Sequence, residues 1–241
     1  MNRSSIIEQY IQIQKDILSN FSLRWNAEKC TSTFRDDVKK YYGFEKKFGW
    51  NIMLNSYYVI NDTELAKTSF KQFELQGPSR HIDVGERYLR LYGLLNAIYQ
   101  QKIAIENLCE VFKIPNYKKL LETLNNCDIV VLRNKIASHP SNYSQTKEDS
   151  EHKFDVYEIS RPDLQSNKIT LLRNQKDFEY FDLNESIKSF DNLLENILEA
   201  ITEKIVKKIF KNQGKHFENL QNIKLIREGT IIGKDYIIKF K

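Results

Sequence analysis

Glycine and proline are scarce in this chain of 241 residues, which holds 8 of the first and 4 of the second. An average protein carries about 7% Gly and about 5% Pro. With few residues able to make tight turns or stop a helix, the chain is restricted to long helices joined by few breaks. Apolar residues at 41% and charged residues at 29%, with a mean hydropathy of −0.56, fit neither a disordered chain nor a membrane span. The expected fold class is mainly α.

Periodicity places the helices. Ile6, Tyr10, Ile13, Ile17 and Phe21 recur at helical spacing behind a capping box, Ser5 to Glu8. A second helix is expected from Thr33 to about Ile60, and a shorter one from an Asp62 cap to about Leu75, stopped by Gly77 and Pro78. A further capping box, Asp83 to Glu86, opens a helix that runs to Ile114, with Leu91, Leu95, Ile98, Tyr99, Lys102, Ile105, Leu108 and Phe112 along one side. The next begins near Tyr117 and ends at His139, because the residue before Pro140 is biased out of the α region.

Residues 141 to 151 are polar and read as a loop, and the alternating runs Phe154–Ile159 and Ile169–Arg173 read as a β-hairpin. Asp182 to Glu185 caps a last long helix bearing Phe190, Leu194, Ile197, Leu198, Ile201, Ile205 and Ile209 on one face. A small terminal hairpin is expected from Ile223–Ile226 and Tyr236–Phe240. The division this suggests is an N-terminal helical region, residues 1–80, a helical core, 81–215, with its hairpin at about 153–174, and a C-terminal hairpin, 216–241.

Several chemistries fall away. Cys30, Cys109 and Cys127 form an odd set without CxxC spacing, which suits a reduced compartment, the cytoplasm, better than a disulfide framework. The N-terminal residues include Glu8 and Lys15 where a signal peptide needs an apolar run, and no membrane association is expected. Neither a Gly-x-Gly-x-x-Gly nor a Gly-Lys-Ser/Thr loop is present to cradle phosphates, and Gly-x-Ser-x-Gly is absent. The histidines, His81, His139, His152 and His216, lack the short spacings of zinc ligands. Pro162-Asp163 is not followed by the acid-x-Lys of a metal nuclease. Neither a metal nor another cofactor is expected.

One segment survives: Val130-Val-Leu-Arg133-Asn134-Lys135-Ile-Ala-Ser138-His139-Pro140. A guanidinium stays charged and offers phosphate a planar, bidentate fork, so it stabilises a transition state richer in negative charge than the substrate. A histidine, with an ordinary pKa of about 6.5, moves protons near neutrality. RNA cleavage by its own 2′-hydroxyl needs both a base and an acid, which one histidine cannot readily supply at once. Two copies of this helix end across a two-fold interface would supply two histidines and two arginines. The plainer reading of the same residues is a solvated or salt-bridged Arg133 and a His139 that caps a helix C-terminus.

This segment, following the amphipathic helix Tyr88-Leu-Arg-Leu-Tyr92-Gly93-Leu-Leu-Asn96, resembles the HEPN superfamily of higher eukaryotes and prokaryotes nucleotide-binding domains. The resemblance rests on an Arg and a His with five residues between them and on the polar Asn134 directly after the Arg, and it spans about residues 83 to 210. It implies a helical bundle, here with an inserted β-hairpin and a small C-terminal one, and a homodimer formed through the motif-bearing helices. It also implies a metal-independent endoribonuclease of phage defence, toxin–antitoxin or RNA-processing systems, with an antitoxin or sensor protein as a further partner. Arg133 and His139 would then be catalytic, and Asn134 would orient the phosphate or the histidine. Lys135 and Ser138 of the motif, and Lys204, Lys207, Lys208 and Lys211 of the last long helix, are candidates to contact RNA, as the net charge of +5 allows. Some members of the superfamily are non-catalytic modules that bind nucleotide, RNA or a protein, and that is the alternative function.

Overall fold

The computed structural model describes residues 4–24, 33–44, 48–78, 83–138, 155–209, 214–232 and 237–239. It is mainly α-helical with a small three-stranded antiparallel sheet. In order, the helices are α1 (Ile6–Arg24), α2 (Phe34–Tyr42), α3 (Gly49–Phe73), α4 (Val84–Val111), α5 (Tyr117–Asn125), α6 (Asp128–Arg133), α7 (Leu183–Lys204) and α8 (Gly214–Arg227). The strands are β1 (Tyr157–Ile159), β2 (Lys168–Arg173) and β3 (Asp177–Asp182), with a two-stranded pair β4 (Thr230–Ile232) and β5 (Ile237–Lys239). Among the described residues no helix is long and apolar enough to cross a membrane.

The caps read from the sequence form as hydrogen bonds. The Glu8 amide donates to Ser5 Oγ at 3.1 Å while the Ser5 amide donates to Glu8 Oε2 at 2.6 Å, the reciprocal pair of a capping box. Asp83 accepts from the Glu86 amide at 2.8 Å, and Asp182 from those of Asn184 and Glu185 at 3.0 and 3.2 Å. Along α4 and α7 the expected apolar faces are buried, with Leu91, Leu95, Ile98, Ile105 and Leu108 on one and Phe190, Leu194, Leu198 and Ile201 on the other.

Four expectations need correcting. Asp62 does not start a helix: α3 runs straight through it, because Thr63, Glu64 and Lys67 turn inward, Glu64 accepting from Lys67 at 2.5 Å and from Gln101 Nε2 at 2.6 Å. The break lies earlier, at Gly43, whose φ of 67° ends α2 in the left-handed conformation that glycine adopts without strain. The stretch from Tyr117 is two helices, since Cys127 is extended (φ −73°, ψ 147°) and opens α6. Ile223–Ile226 belongs to α8, where Leu220 and Ile223 are buried one turn apart, and the terminal hairpin instead pairs Thr230–Ile232 with Ile237–Lys239.

The sheet has one strand more than expected. β1 pairs with β2, and β2 with β3, in register Ile159↔Leu171 and Leu171↔Glu179. β3 was hidden because its alternation is inverted: Phe178 and Tyr180 point outward, 59% and 75% exposed, while Glu179 shares the inner face with Tyr157, Leu171 and Phe181. Its turn also lacks glycine, using Asn174 and Gln175 at positive φ (52° and 57°).

The chain forms two compact units. One comprises Met1–Asn61, Ala104–Tyr117 and Leu193–Lys241, the other Asp62–Ile103 and Lys118–Asn192, so the units interleave along the sequence instead of dividing it near residues 80 and 215. In the first, α1 packs against α8. Gln14 donates to Thr202 Oγ1 at 2.8 Å, and Lys224 and Arg227 of α8 bind the acids of α7: Lys224 lies 2.8 Å from Glu199 and 2.5 Å from Glu203, and Arg227 lies 2.9 Å from Glu195 and 2.5 Å from Glu199. The second unit holds the sheet, α5, α6 and a buried network in which Lys67 bridges Glu64 and Asp191.

The hydrogen bond from Lys224 holds the Glu203 carboxyl below its ordinary value of 4.5. A carboxyl depressed in the folded state contributes stability that is complete above its unfolded pKa and is lost as pH falls through the folded one. The urea midpoint should therefore drop on acidification from about pH 7 to about pH 3, and the part of that drop due to Glu203 should be absent in Lys224→Met, measured as a flatter midpoint-against-pH curve.

Candidate functional site

Arg133 is the last residue of α6, and from Asn134 to Ser138 the helix widens into a π-helical turn. The Asn134 amide is shared between the carbonyls of Val130 and Val131, as is common at the end of an α-helix. Such turns redirect side chains, and here they send consecutive motif residues to different neighbours. The burial of Ile129, Val130, Leu132 and Ile136 anchors the segment in its unit.

Lys135 faces the sheet. It is buried, its ammonium pairs with Glu179, and it lies over the rings of Tyr157 at 4.7 Å and Phe181 at 5.7 Å. The expectation that Lys135 contacts RNA is corrected accordingly: its charge is compensated by the carboxylate and by two aromatic faces, all on the inner side of the sheet. The hairpin expected after the motif is thus packed on the motif's own turn, β1 against Asn134–Ser138 and β3 against α6.

Arg133 faces elsewhere. Its guanidinium carbon lies 3.6 Å from the centroid of the Tyr99 ring of α4, a stacked arrangement, and Nη1 donates to Asn134 Oδ1 at 3.1 Å. Among the described residues Arg133 makes no ion pair, so one of its five N–H donors is engaged by the neighbouring amide and none by an acid. The ammonium of Lys102, largely buried, lies 5.1 Å from the same ring. Two cations thus face one tyrosine ring.

The remaining candidates are placed as follows. Ser138 closes the π-helical turn, its side chain outside the described residues, and His139 also lies outside them. Lys204 and Lys207 belong to the other compact unit. Lys204 donates to the Lys113 carbonyl at 2.8 Å, and Lys207 lies 3.2 Å from Glu203 and 5.9 Å from the ring centroid of Phe217. The side chain of Lys208 and all of Lys211 lie outside the described residues. Among the described residues no three His, Cys, Asp or Glu side chains are grouped as a metal site requires. Of the cysteines, burial pushes the Cys109 thiol up to about 12 and raises that of Cys127, leaving neither a nucleophile near neutrality.

Tyr99, Lys102 and Glu179 are the residues that the sequence did not single out as partners of the motif. Tyr99 lies on the expected apolar side of α4, one turn after Leu95, and the structure leaves it half-buried where Leu95 and Ile98 are buried. Comparison with family models, with curated proteins and with solved structures found no match to this chain.

Removing Glu179 leaves the Lys135 ammonium buried without its counter-charge. With Glu179 still 24% exposed, Glu179→Ala should cost about 1–3 kcal/mol, less than the ~3–5 of a fully buried pair. The double substitution Lys135→Met with Glu179→Leu should recover most of it, as read by urea denaturation.

Proposed function

We propose that the protein is a metal-independent endoribonuclease whose site is made of Arg133, Asn134 and His139 from two copies of the chain. The observation that carries the reading is the state of Arg133: a guanidinium held flat on Tyr99, oriented by the Asn134 amide and paired with no acid among the described residues. An arginine serving only stability would be expected to find a carboxylate, as Arg227 does with Glu195 and Glu199. An arginine meant for phosphate keeps its fork open and restrained, so that little order is lost on binding.

In this mechanism one His139 takes the proton of the 2′-hydroxyl, which attacks phosphorus. The second His139 protonates the departing 5′-oxygen. The products are a 2′,3′-cyclic phosphate and a free 5′-hydroxyl. The two Arg133 forks stabilise the extra charge of the transition state, and Asn134 fixes their direction. The homodimer draws support from an exposed stripe on α4, in the same compact unit as the motif: Leu89 is 68% and Tyr92 41% exposed, and the space above Gly93 is open. A helix face of that kind, small at Gly93 and apolar on either side, suits close approach of an identical helix. The setting in defence or toxin–antitoxin systems comes from the sequence resemblance alone.

The test is RNA cleavage in EDTA. Wild type should cut, His139→Ala should lose about 10²–10⁴-fold, and Arg133→Ala about 10²–10³-fold, with Arg133→Lys failing to restore the rate because a point charge lacks the bidentate fork. A single 2′-deoxy linkage at the cleavage position should resist. Equal cleavage by wild type and variants, or none by any of them, would overturn the proposal.

A further inference from the structure

The first compact unit holds a cavity of about 290 Å³, lined among others by Lys15 and Ser19 of α1 and by Trp50, Leu54, Tyr57 and Tyr58 of α3. Ligand sites generally measure ~300–1,000 Å³, so this one suits one or two fused rings and not an extended chain. Three of its six named walls are aromatic. Trp50 also packs edge-on to Phe34 at 5.3 Å and tilted against Tyr42 at 6.3 Å, contacts that restrain the indole.

Lys15 lies 5.6 Å from the centroid of the Tyr58 ring and makes no ion pair among the described residues. Aromatic walls call for a flat apolar ring, and a cation calls for an acceptor bearing negative charge.

We infer that this cavity binds a small planar aromatic acid, its ring against Trp50 and Tyr58 and its anionic group toward Lys15. The site is built from α1 and α3 and uses none of the motif residues.

Calorimetric titration of the full chain with indole-3-acetate, with indole and with acetate separates ring from charge. The acid should bind one to one and at least about tenfold more tightly than indole, a difference the charge contact supplies, while acetate alone should give no heat. Lys15→Gln, a change at a partly exposed position, should bring indole-3-acetate down to the affinity of indole. Leu54→Trp should fill the cavity and abolish binding of both aromatic probes with the melting temperature kept. No binding of indole-3-acetate at millimolar concentration, an unchanged affinity in Lys15→Gln, or full binding in Leu54→Trp would overturn the assignment.

Discussion

The ion pair between Lys135 and Glu179 fixes how the motif is presented. A buried ammonium is costly unless a counter-charge and aromatic faces meet it, and here Glu179, Tyr157 and Phe181 do so from one face of the sheet. Once Lys135 is committed to that side, a residue two places earlier on a helical path must face nearly the opposite way. Arg133 is that residue, and its stacking on Tyr99 follows from the same rotation. The sheet therefore holds the turn from the side of Lys135.

The turn itself is widened. Gly43 ends α2 in the left-handed conformation, whereas α6 and α7 run on without a break into the π-helical turns Asn134–Ser138 and Ile205–Ile209. A widened turn changes the angular step between residues. In the first of these turns Asn134 accepts from Arg133 while Lys135 faces the sheet.

Much of the fold was legible because it depends on local signals. Ser5 with Glu8, Asp83 and Asp182 are caps whose geometry involves residues no more than three apart, and the apolar faces of α4 and α7 repeat over many turns. What was not legible depends on distant partners. β3 shows exposed aromatics and an inward glutamate, a pattern that makes sense only once Lys135 lies beneath it. Asp62 looked like a cap because nothing nearby reveals that Glu64 answers Gln101. At the site the pairing of Arg133 with Asn134 could be read from adjacency, whereas the role of Tyr99 could not, since its ring comes from a helix more than thirty residues earlier.

In the proposed reaction Arg133 is an open, restrained phosphate ligand and the attacking group is the RNA's own 2′-hydroxyl. The most direct measurement is the chemistry of the cut ends. RNA incubated with the protein in EDTA should yield 2′,3′-cyclic phosphate and 5′-hydroxyl termini, and these should vanish with Arg133→Ala. Fragments ending in 3′-hydroxyl and 5′-phosphate, or cleavage indifferent to Arg133, would contradict it.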